Sequence, residues 1–446
     1  MNESQILYLN TKPAKLFWKA ALPGGISMLA SSLFSVFDTL FAGKLIGTTA
    51  LAALGLAMPL IIMNFALAEL VGVGSSVPIS IFLGRKEDSK ANNYFTSSIL
   101  LIMATGLLSG SLIFFSAPGF MQLMGADGEL LTYAVQYVRV YAVLSPLTPL
   151  MFAMDNFLRI CGKTKTSMVL NILSTLISVV LEYVLIVKLN MGVIGAAIGG
   201  SAGMLFVVVA GVIMFLPGKL QLKFVRPQFS KAMFRQIYTN GLAPFLTNIS
   251  GRLFSVVMNM MLMSYSTEKG EAVAIYGVLM TLASIIEQMM YGVVDSLQPS
   301  LGYNYGAGRF DRVKSIEKYA MTAAATISLF GGITIFAIPA PLSVPFLEDL
   351  RLLDATVFAV RIMSITYLLK WLGTAIQCFF MALEKPFPSM LISTASACVF
   401  PLALIPILTP FELTGLWLNY PVTALLTATL AVTVLLKQKN TLFRRN

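Results

Sequence analysis

Two stretches of the chain, about half its length apart, repeat one pattern. ALPGGISMLASSLFSV occupies Ala21–Val36 and GLAPFLTNISGRLFSV occupies Gly241–Val256, which places Pro23 on Pro244 at an offset of 221. Later matches keep offsets of 222 to 224: Gly84-Arg85 with Gly308-Arg309, Val138-Arg139 with Val360-Arg361, and Lys163 with Lys385. Half of the 446 residues is 223, so the sequence predicts a duplicated unit.

The composition predicts what kind of unit was duplicated. Hydrophobic residues make up 57% of the chain and charged residues 11%, with a mean hydropathy of +0.81. Apolar runs recur that are long enough to cross a hydrocarbon core of about 30 Å. We therefore predict an all-α integral membrane protein with twelve spans, six in each half: 17–44, 50–82, 93–116, 129–154, 166–188, 193–216, 236–265, 271–300, 314–340, 353–381, 387–408 and 413–436.

The positions of the basic residues give an independent test of the twelve spans. The loops on the side of the N-terminus hold 23 of the 31 Lys and Arg residues, and the opposite loops hold four. Because cytoplasmic loops are enriched in Lys and Arg, we expect both termini in the cytoplasm and the chain in the plasma membrane. The net charge of +11 then reflects topology and lipid headgroups, and nucleic acid is not an expected partner.

The predicted lobes are residues 1–216 and 236–446, joined by a cytoplasmic linker at 217–235. Six spans in each lobe give both copies the same orientation, so the repeats are parallel and related by an axis along the membrane normal.

Several classes of protein are disfavoured by the residues that the chain lacks. It has no histidine, and its three cysteines have no metal-binding spacing. We therefore expect no enzyme, no cofactor and no firm metal site. Gly162-Lys163-Thr164 resembles the end of a phosphate-binding loop, but the glycine required five residues earlier is Phe157, so any energy source would be an ion gradient or a partner ATPase.

Carboxylates inside the predicted spans are the candidates for ion coupling, because charges are costly in hydrocarbon. In the first span Ser27, Ser31, Ser35 and Asp38 share one helical face, and in the fifth span Asn171, Ser174, Ser178 and Glu182 do the same. Asp38 and Glu182 lie at similar predicted depth. Two carboxylates that meet in a medium of low dielectric constant cannot both ionise easily, so the pair can carry a proton or hold a small cation.

The second lobe has polar stripes of different chemistry. At an offset of 221, Asn259 stands where Asp38 stands in the first lobe. Lys370 is predicted either to pair with Glu287 or Asp295 or to contact substrate. Taken over both lobes, the residues predicted to line a substrate cavity are Ser31, Ser35, Asn171, Asn259, Glu287, Tyr291, Asp295, Lys370 and Gln377.

Four segments resemble the multidrug and toxic compound extrusion (MATE) family: QPSLGYNYGAGRFDRV from Gln298, FDTLFAGKLIGTTALAALGLAMP from Phe37, VGVGSSVPISIFLGR from Val71 and MGVIGAAIGG from Met191. The resemblance extends over essentially the whole chain. It implies secondary antiport, in which small cationic or amphipathic compounds leave the cell as Na⁺ or H⁺ enters, by alternating access between two lobes. It also places the coupling acid of the first helix at Asp38.

The chain departs from the family pattern at the implied ion site. The family's Asn-x-x-x-Asp pair in the fifth helix aligns with Ser178 and Glu182, and its Thr in the sixth helix aligns with Gly200, where Ser201 is the nearest substitute. A Na⁺ site at Asp38 and Glu182 needs several oxygen ligands, whereas a proton needs one carboxylate, so H⁺ coupling is favoured over Na⁺.

The alternative within the same superfold is a flippase for lipid-linked oligosaccharides or peptidoglycan precursors. Such a protein would need basic residues in its cavity to meet a pyrophosphate. The set predicted to lie inside the membrane or at the edges of the spans favours cationic cargo, because acids outnumber bases. It comprises six acids (Asp38, Glu69, Asp155, Glu182, Glu287 and Asp295) and four bases (Arg139, Arg252, Arg361 and Lys370). We expect the chain to act as a monomer.

Overall fold

A computed structural model describes residues 3–41, 45–265, 270–347 and 349–442, apart from the side chains of residues 3, 33–40 and 439–441. Helices and short connections make up these ranges, which contain no β-strand. The all-helical class predicted from composition is confirmed.

Sixteen helices carry the fold through both halves of the chain. In the first half they are α1 (Pro13–Phe41), α2 (Thr48–Gly84), α3 (Asp88–Leu123), α4 (Gly128–Leu144), α5 (Leu150–Ile160), α6 (Thr164–Tyr183) and α7 (Gly192–Phe215). In the second half they are α8 (Lys231–Tyr265), α9 (Glu271–Asp295), α10 (Gln298–Gly306), α11 (Phe310–Ala337), α12 (Leu353–Ser364), α13 (Lys370–Ala382), α14 (Pro386–Thr394), α15 (Phe400–Leu408) and α16 (Glu412–Leu442).

Each of the twelve predicted spans coincides with helix in the part of the chain that the structure describes. Four spans are interrupted, and these account for the larger number of helices. The fourth span turns between α4 and α5, where Pro146 and Pro149 remove backbone donors, and the tenth turns between α12 and α13. The eighth span is divided into α9 and α10, and the eleventh contains a π-helical turn between α14 and α15.

The lengths and hydropathies of the observed helices identify fewer membrane crossings than the twelve spans predicted from the sequence. Within the described ranges, seven helices are long and apolar enough to cross a membrane, or eight if Leu350–Leu368 and Lys370–Ala382, which are bent by 45°, form one span. One of the seven, Pro386–Gln438, runs through the eleventh and twelfth predicted spans. The α4–α5 break shortens both helices, and α8 carries polar residues along much of its length.

The helices form two compact units, each with its own apolar core. The first unit contains Met1–Thr11 and Ile26–Phe245, and the second contains Lys12–Gly25 and Leu246–Asn446. The boundaries inside α1 and α8 follow Pro23 and Pro244 by one or two residues. Each unit therefore includes the first part of a helix whose remainder belongs to the other unit. The predicted lobes at 1–216 and 236–446 stay a prediction about how the chain is organised.

The ends of corresponding helices show the duplication in backbone geometry. Lys86 and Gly308, 222 residues apart, both adopt positive φ angles of 63° and 70°, and Gly162 and Glu384 do the same at 79° and 57°. After each of these residues a backbone N–H donates to the carbonyl five residues earlier, at 2.8–2.9 Å. This is the hydrogen bond that ends a helix in a Schellman turn. The repeat thus extends to the termination of individual helices.

Helix crossings inside each unit also correspond. In the first unit, a side chain added at Gly110 on α3 would overlap the Ser145 side chain and the Ala142 carbonyl. In the second unit, a Cβ at Gly332 on α11 would lie 2.7 Å from the Cβ of Tyr367. Each pair is related to the other by 222 residues. Small residues at these crossings let two backbones approach closely without hydrogen-bond distortion.

The segment that was predicted to be a linker lies on the first unit. The side chain of Asn93 on α3 donates to the Gln228 carbonyl at 2.9 Å and accepts from the Gln228 N–H at 2.7 Å. Backbone N–H groups of Gln221 and Leu222 reach the Cys161 thiol, and burial raises the pKa of that thiol to about 12. The linker therefore covers the end of α5, and burial keeps this thiol in its protonated, unreactive form although the linker N–H groups favour the thiolate.

Gly110→Ala and Gly332→Ala should each lower the free energy of unfolding by about 1–3 kcal/mol, because the added methyl group forces the crossing helices apart. The measurement is the apparent melting temperature of the purified protein in detergent. Gly55→Ala is the matched control, since nothing lies within 4 Å of a Cβ at that helical position. Equal melting temperatures for all three variants would contradict the close-packing account.

Candidate functional site

The second half of α1 runs beside α6 in the first unit, and this places the two predicted coupling positions. Thr175 donates to the carbonyl of Ala30 at 3.4 Å, and further along both helices the rings of Phe41 and Tyr183 lie 6.3 Å apart. The two helices thus run in the same direction. Asp38 precedes Phe41 by three residues and Glu182 precedes Tyr183 by one, so the two backbone positions lie within about 3 Å of the same level along the helices. The side chains of Asp38 and Ser35 lie outside the described residues.

Glu182 is packed against the glycine-rich face of α7. Its side chain is 0% exposed, and a Cβ added at Gly199 would lie 2.6 Å from the Glu182 Cα. One turn further along α7, a Cβ at Gly203 would overlap the hydroxyl of Ser178. The contact between α6 and α7 therefore removes Glu182 from water. A residue larger than glycine at position 199 or 203 would prevent this close approach of the two helices.

The two serines predicted to join Glu182 lie on different surfaces. Ser178 is buried and donates to the carbonyl of Gly200 at 3.2 Å, which ties α6 to α7 one turn before Glu182. Ser201 is also fully buried, but it lies two residues beyond Gly199, or about 200° around the helix. It does not share the face that Glu182 contacts.

Asn171, predicted to line a cavity, belongs to a buried polar cluster at the other end of α6. Its amide donates to Asp155 at 2.7 Å, and Asp155 forms an ion pair with Arg159 at 2.6 Å. Ser167 donates to the same carboxylate. Asp155 and Arg159 are four residues apart on α5, so this ion pair forms within one helical turn. Eleven residues separate Asn171 from Glu182, or about 16 Å along the helix, so the polar stripe of α6 has two separate parts.

In the second unit, Lys370 pairs with Glu287. The Lys370 ammonium donates to the Glu287 carboxylate, which joins the start of α13 to α9. The side chains are 32% and 41% exposed within the unit, so neither charge is isolated in the interior. Of the two partners predicted for Lys370, the structure shows Glu287.

The remaining candidates of the second unit are dispersed. Asn259 donates to the Ser255 carbonyl of its own helix at 3.0 Å, and Ser31 of the first unit similarly bonds to its own helix at Ser27. Tyr291 packs at the edge of a small apolar cluster, and Asp295 and Gln377 are half-buried. Within the described ranges, no group of three or more carboxylate, thiol or imidazole side chains forms a metal site.

Sequence reasoning missed Glu317, which the structure buries inside the second unit at 8% exposure. The predicted ninth span, 314–340, includes this residue. The basic residues around it, however, favoured the interpretation that its segment belongs to a cytoplasmic loop. A signal was present in the spacing. Val313, Ile316, Ala320 and Ala324 form an apolar stripe on α11, and Glu317 lies within it.

The comparisons with known proteins agree with the duplicated helical fold. The family model MatE matches two segments of the chain, residues 23–184 and 244–407. The chain belongs to the MatE family. The two matched segments begin 221 residues apart and correspond to the two copies of the repeated unit.

Relatives and solved structures extend the comparison to nearly the full length. Multidrug export protein MepA of Staphylococcus aureus (strain N315) is 25% identical over 378 residues, which cover 84% of this chain and 82% of MepA. A solved structure described as the outward-facing conformation of a multidrug resistance MATE family transporter matches with a TM-score of 0.93 at 20% identity, over 99% of each chain.

A second solved structure shares the fold but carries a different functional description. It is a MOP superfamily transporter from Pyrococcus furiosus, described as having a binding pocket of reverse polarity that suggests a different function. It matches with a TM-score of 0.91 at 20% identity, over 100% of this chain and 99% of that one. The fold is therefore shared by proteins to which different functions are attributed.

Reversing one charge of the Glu287–Lys370 pair should destabilise the second unit, and reversing both should restore it. Glu287→Lys and Lys370→Glu each place two like charges together. The double variant restores an ion pair in which the acid and the base have exchanged positions. The measurement is the melting temperature in detergent.

The exposed pair Asp349–Arg351 provides the control for this charge swap, because surface ion pairs contribute only about 0–1 kcal/mol. A double variant of Glu287 and Lys370 no more stable than the weaker single variant would show that the two charges do not interact.

Proposed function

We propose that this chain is an efflux transporter of the membrane that exchanges small cationic or amphipathic compounds for protons. Both termini are placed in the cytoplasm, as the distribution of Lys and Arg favours. The proposal is supported by family membership and by the export function in the name of the MepA relative. It depends most on one observation, which is the parallel run of α1 and α6 that brings the positions of Asp38 and Glu182 to one level.

The proposed coupling reaction is the loading of a proton onto this pair of acids. Glu182 has no contact with water in the compact unit, and burying an ionised carboxylate costs several kcal/mol unless a partner compensates. A proton removes that cost, and so does a cation. Loading and release of the ion would therefore be linked to whether the α6–α7 contact is open or closed. The substrate enters the same linkage if it and the ion favour different arrangements of these helices.

The choice of proton over Na⁺ follows from the oxygen atoms that are available. Ser178 uses its hydroxyl hydrogen on the Gly200 carbonyl, which leaves a lone pair of that oxygen as a possible ligand. Ser201 lies on another side of α7, and Gly200 has no side-chain oxygen. A Na⁺ ion needs several oxygens arranged around it, whereas a proton needs one carboxylate oxygen. The described residues near Glu182 therefore suit the binding of a proton better than the binding of Na⁺.

The test is transport by the purified protein in liposomes under separately imposed gradients of pH and Na⁺. We expect a pH gradient alone to drive the movement of tetraphenylphosphonium or ethidium. Asp38→Asn and Glu182→Gln should reduce that movement to the level of liposomes without protein, because neither amide can take up the coupling proton.

Asp127→Asn is the matched control for these variants, since Asp127 is an exposed acid of the same unit. Transport that responds to Na⁺ alone would contradict proton coupling. Ion-driven transport that persists in Asp38→Asn would contradict the assignment of this residue. Failure to move either dye while a lipid-linked pyrophosphate is translocated would favour the flippase alternative.

A further inference from the structure

The second unit contains a buried carboxylate that the coupling pair does not use. Glu317 lies on α11, eight residues into the helix and about 10 Å along its axis from Phe310. Its side chain is enclosed, and neither carboxylate oxygen has a hydrogen-bond partner within the part of the chain that the structure describes. An ionised group in this position would be costly in free energy, because no donor replaces the water it has lost.

The repeat shows that the fold does not require a carboxylate here. At an offset of 222, the residue that corresponds to Glu317 is Phe95 on α3. Phe95 is fully buried, and its ring packs against those of Phe157 and Phe215 at centroid distances of 5.0 and 4.8 Å. The first unit therefore fills this position with an aromatic side chain. The second unit places an acid in the same position of the same architecture.

A second acid and a thiol lie near Glu317. Asp295 at the end of α9 and Glu317 both lie within electrostatic range of the buried Cys378 thiol on α13. Cys378 belongs to an apolar cluster with Met290, Val294, Ala324 and Ala375. Both carboxylates therefore lie close to the apolar surroundings of the Cys378 thiol.

The basic side chains on α11 and on the first part of α1 do not form a hydrogen bond with the described Glu317 carboxylate. Arg312 on the same helix donates to Asn304 at 2.9 Å. Lys314 and Lys318 on α11 are exposed, as are Lys15 and Lys19 on the part of α1 that belongs to the second unit. α10 carries no acidic or basic side chain, and its ionisable groups are tyrosines. A proton is therefore the cation that best fits the space around Glu317.

We propose that Glu317 is a proton-binding site of the second unit, separate from the coupling acids of the first. A proton from water forms an O–H bond with one carboxylate oxygen, and the same bond breaks when the proton returns to water, so the step involves no electron transfer. The neutral acid is the form compatible with the packed helices. Ionisation then favours an arrangement in which α9, α11 and α13 admit water or a donor to this position. The site adds a second proton-dependent step to the transport cycle.

Infrared spectroscopy of the purified protein tests the site directly, through the C=O stretching band of protonated carboxylic acids. We expect wild-type protein at about pH 7 to show a band that Glu317→Gln lacks. Asp311→Asn, which changes an exposed acid on the same helix, should retain it. The absence of any Glu317-dependent band between about pH 5 and 8 would overturn the proposal. Glu317→Phe, which copies the residue of the first unit, serves if the Gln variant does not fold.

A second measurement tests the functional part, which rests on the proposed transport activity. In liposomes, Glu317→Gln should change the dependence of the transport rate on pH, whereas Asp311→Asn should not. Identical pH profiles for wild type and Glu317→Gln would overturn a role in the cycle. If the wild-type protein moves no dye, the proposed function fails, while the infrared band still decides whether Glu317 binds a proton.

Discussion

The contact between α6 and the glycine face of α7 sets the chemistry of the first unit. Gly199 and Gly203 let the backbone of α7 approach α6 so closely that Glu182 has no access to water, and the Ser178 hydroxyl secures the contact through the Gly200 carbonyl. Burying an ionised carboxylate costs several kcal/mol unless an opposite charge or hydrogen bonds compensate it. In the proposed cycle, ion binding and helix packing are one equilibrium, and this is the linkage that an antiporter requires.

The duplicated architecture makes departures from symmetry informative. Helix ends and glycine crossings in the two units match at a constant offset of 222, down to the left-handed residues at Lys86 and Gly308. Against that background, an acid that stands at only one of two equivalent positions points to a role beyond packing. Asn259 stands where the first unit has Asp38, at an offset of 221, and Glu317 stands where it has Phe95, at an offset of 222. Each unit thus carries acids at positions where the other has none, and we propose that each unit binds protons at its own site.

The sequence predicted the parts of this account that depend on periodicity. Apolar runs, basic loops and the internal repeat predicted the helices, because long segments in a membrane must satisfy their own backbone hydrogen bonds. Periodicity could not predict which side chains meet. Asn171 and Glu182 share a stripe, yet one contacts Asp155 and the other α7, since the partner helix changes along the length of α6. Glu317 was missed because its neighbours in sequence are basic while its neighbours in space are apolar.

Proton release during substrate binding is the most direct test of the claim that Glu182 exchanges its ion against substrate. Purified protein in detergent would be titrated with tetraphenylphosphonium by calorimetry in two buffers of different ionisation enthalpy, which gives the number of protons released. The account predicts release by wild-type protein and a smaller release by Glu182→Gln, with Asp127→Asn unchanged. Binding of the compound with no proton release by wild-type protein would contradict it.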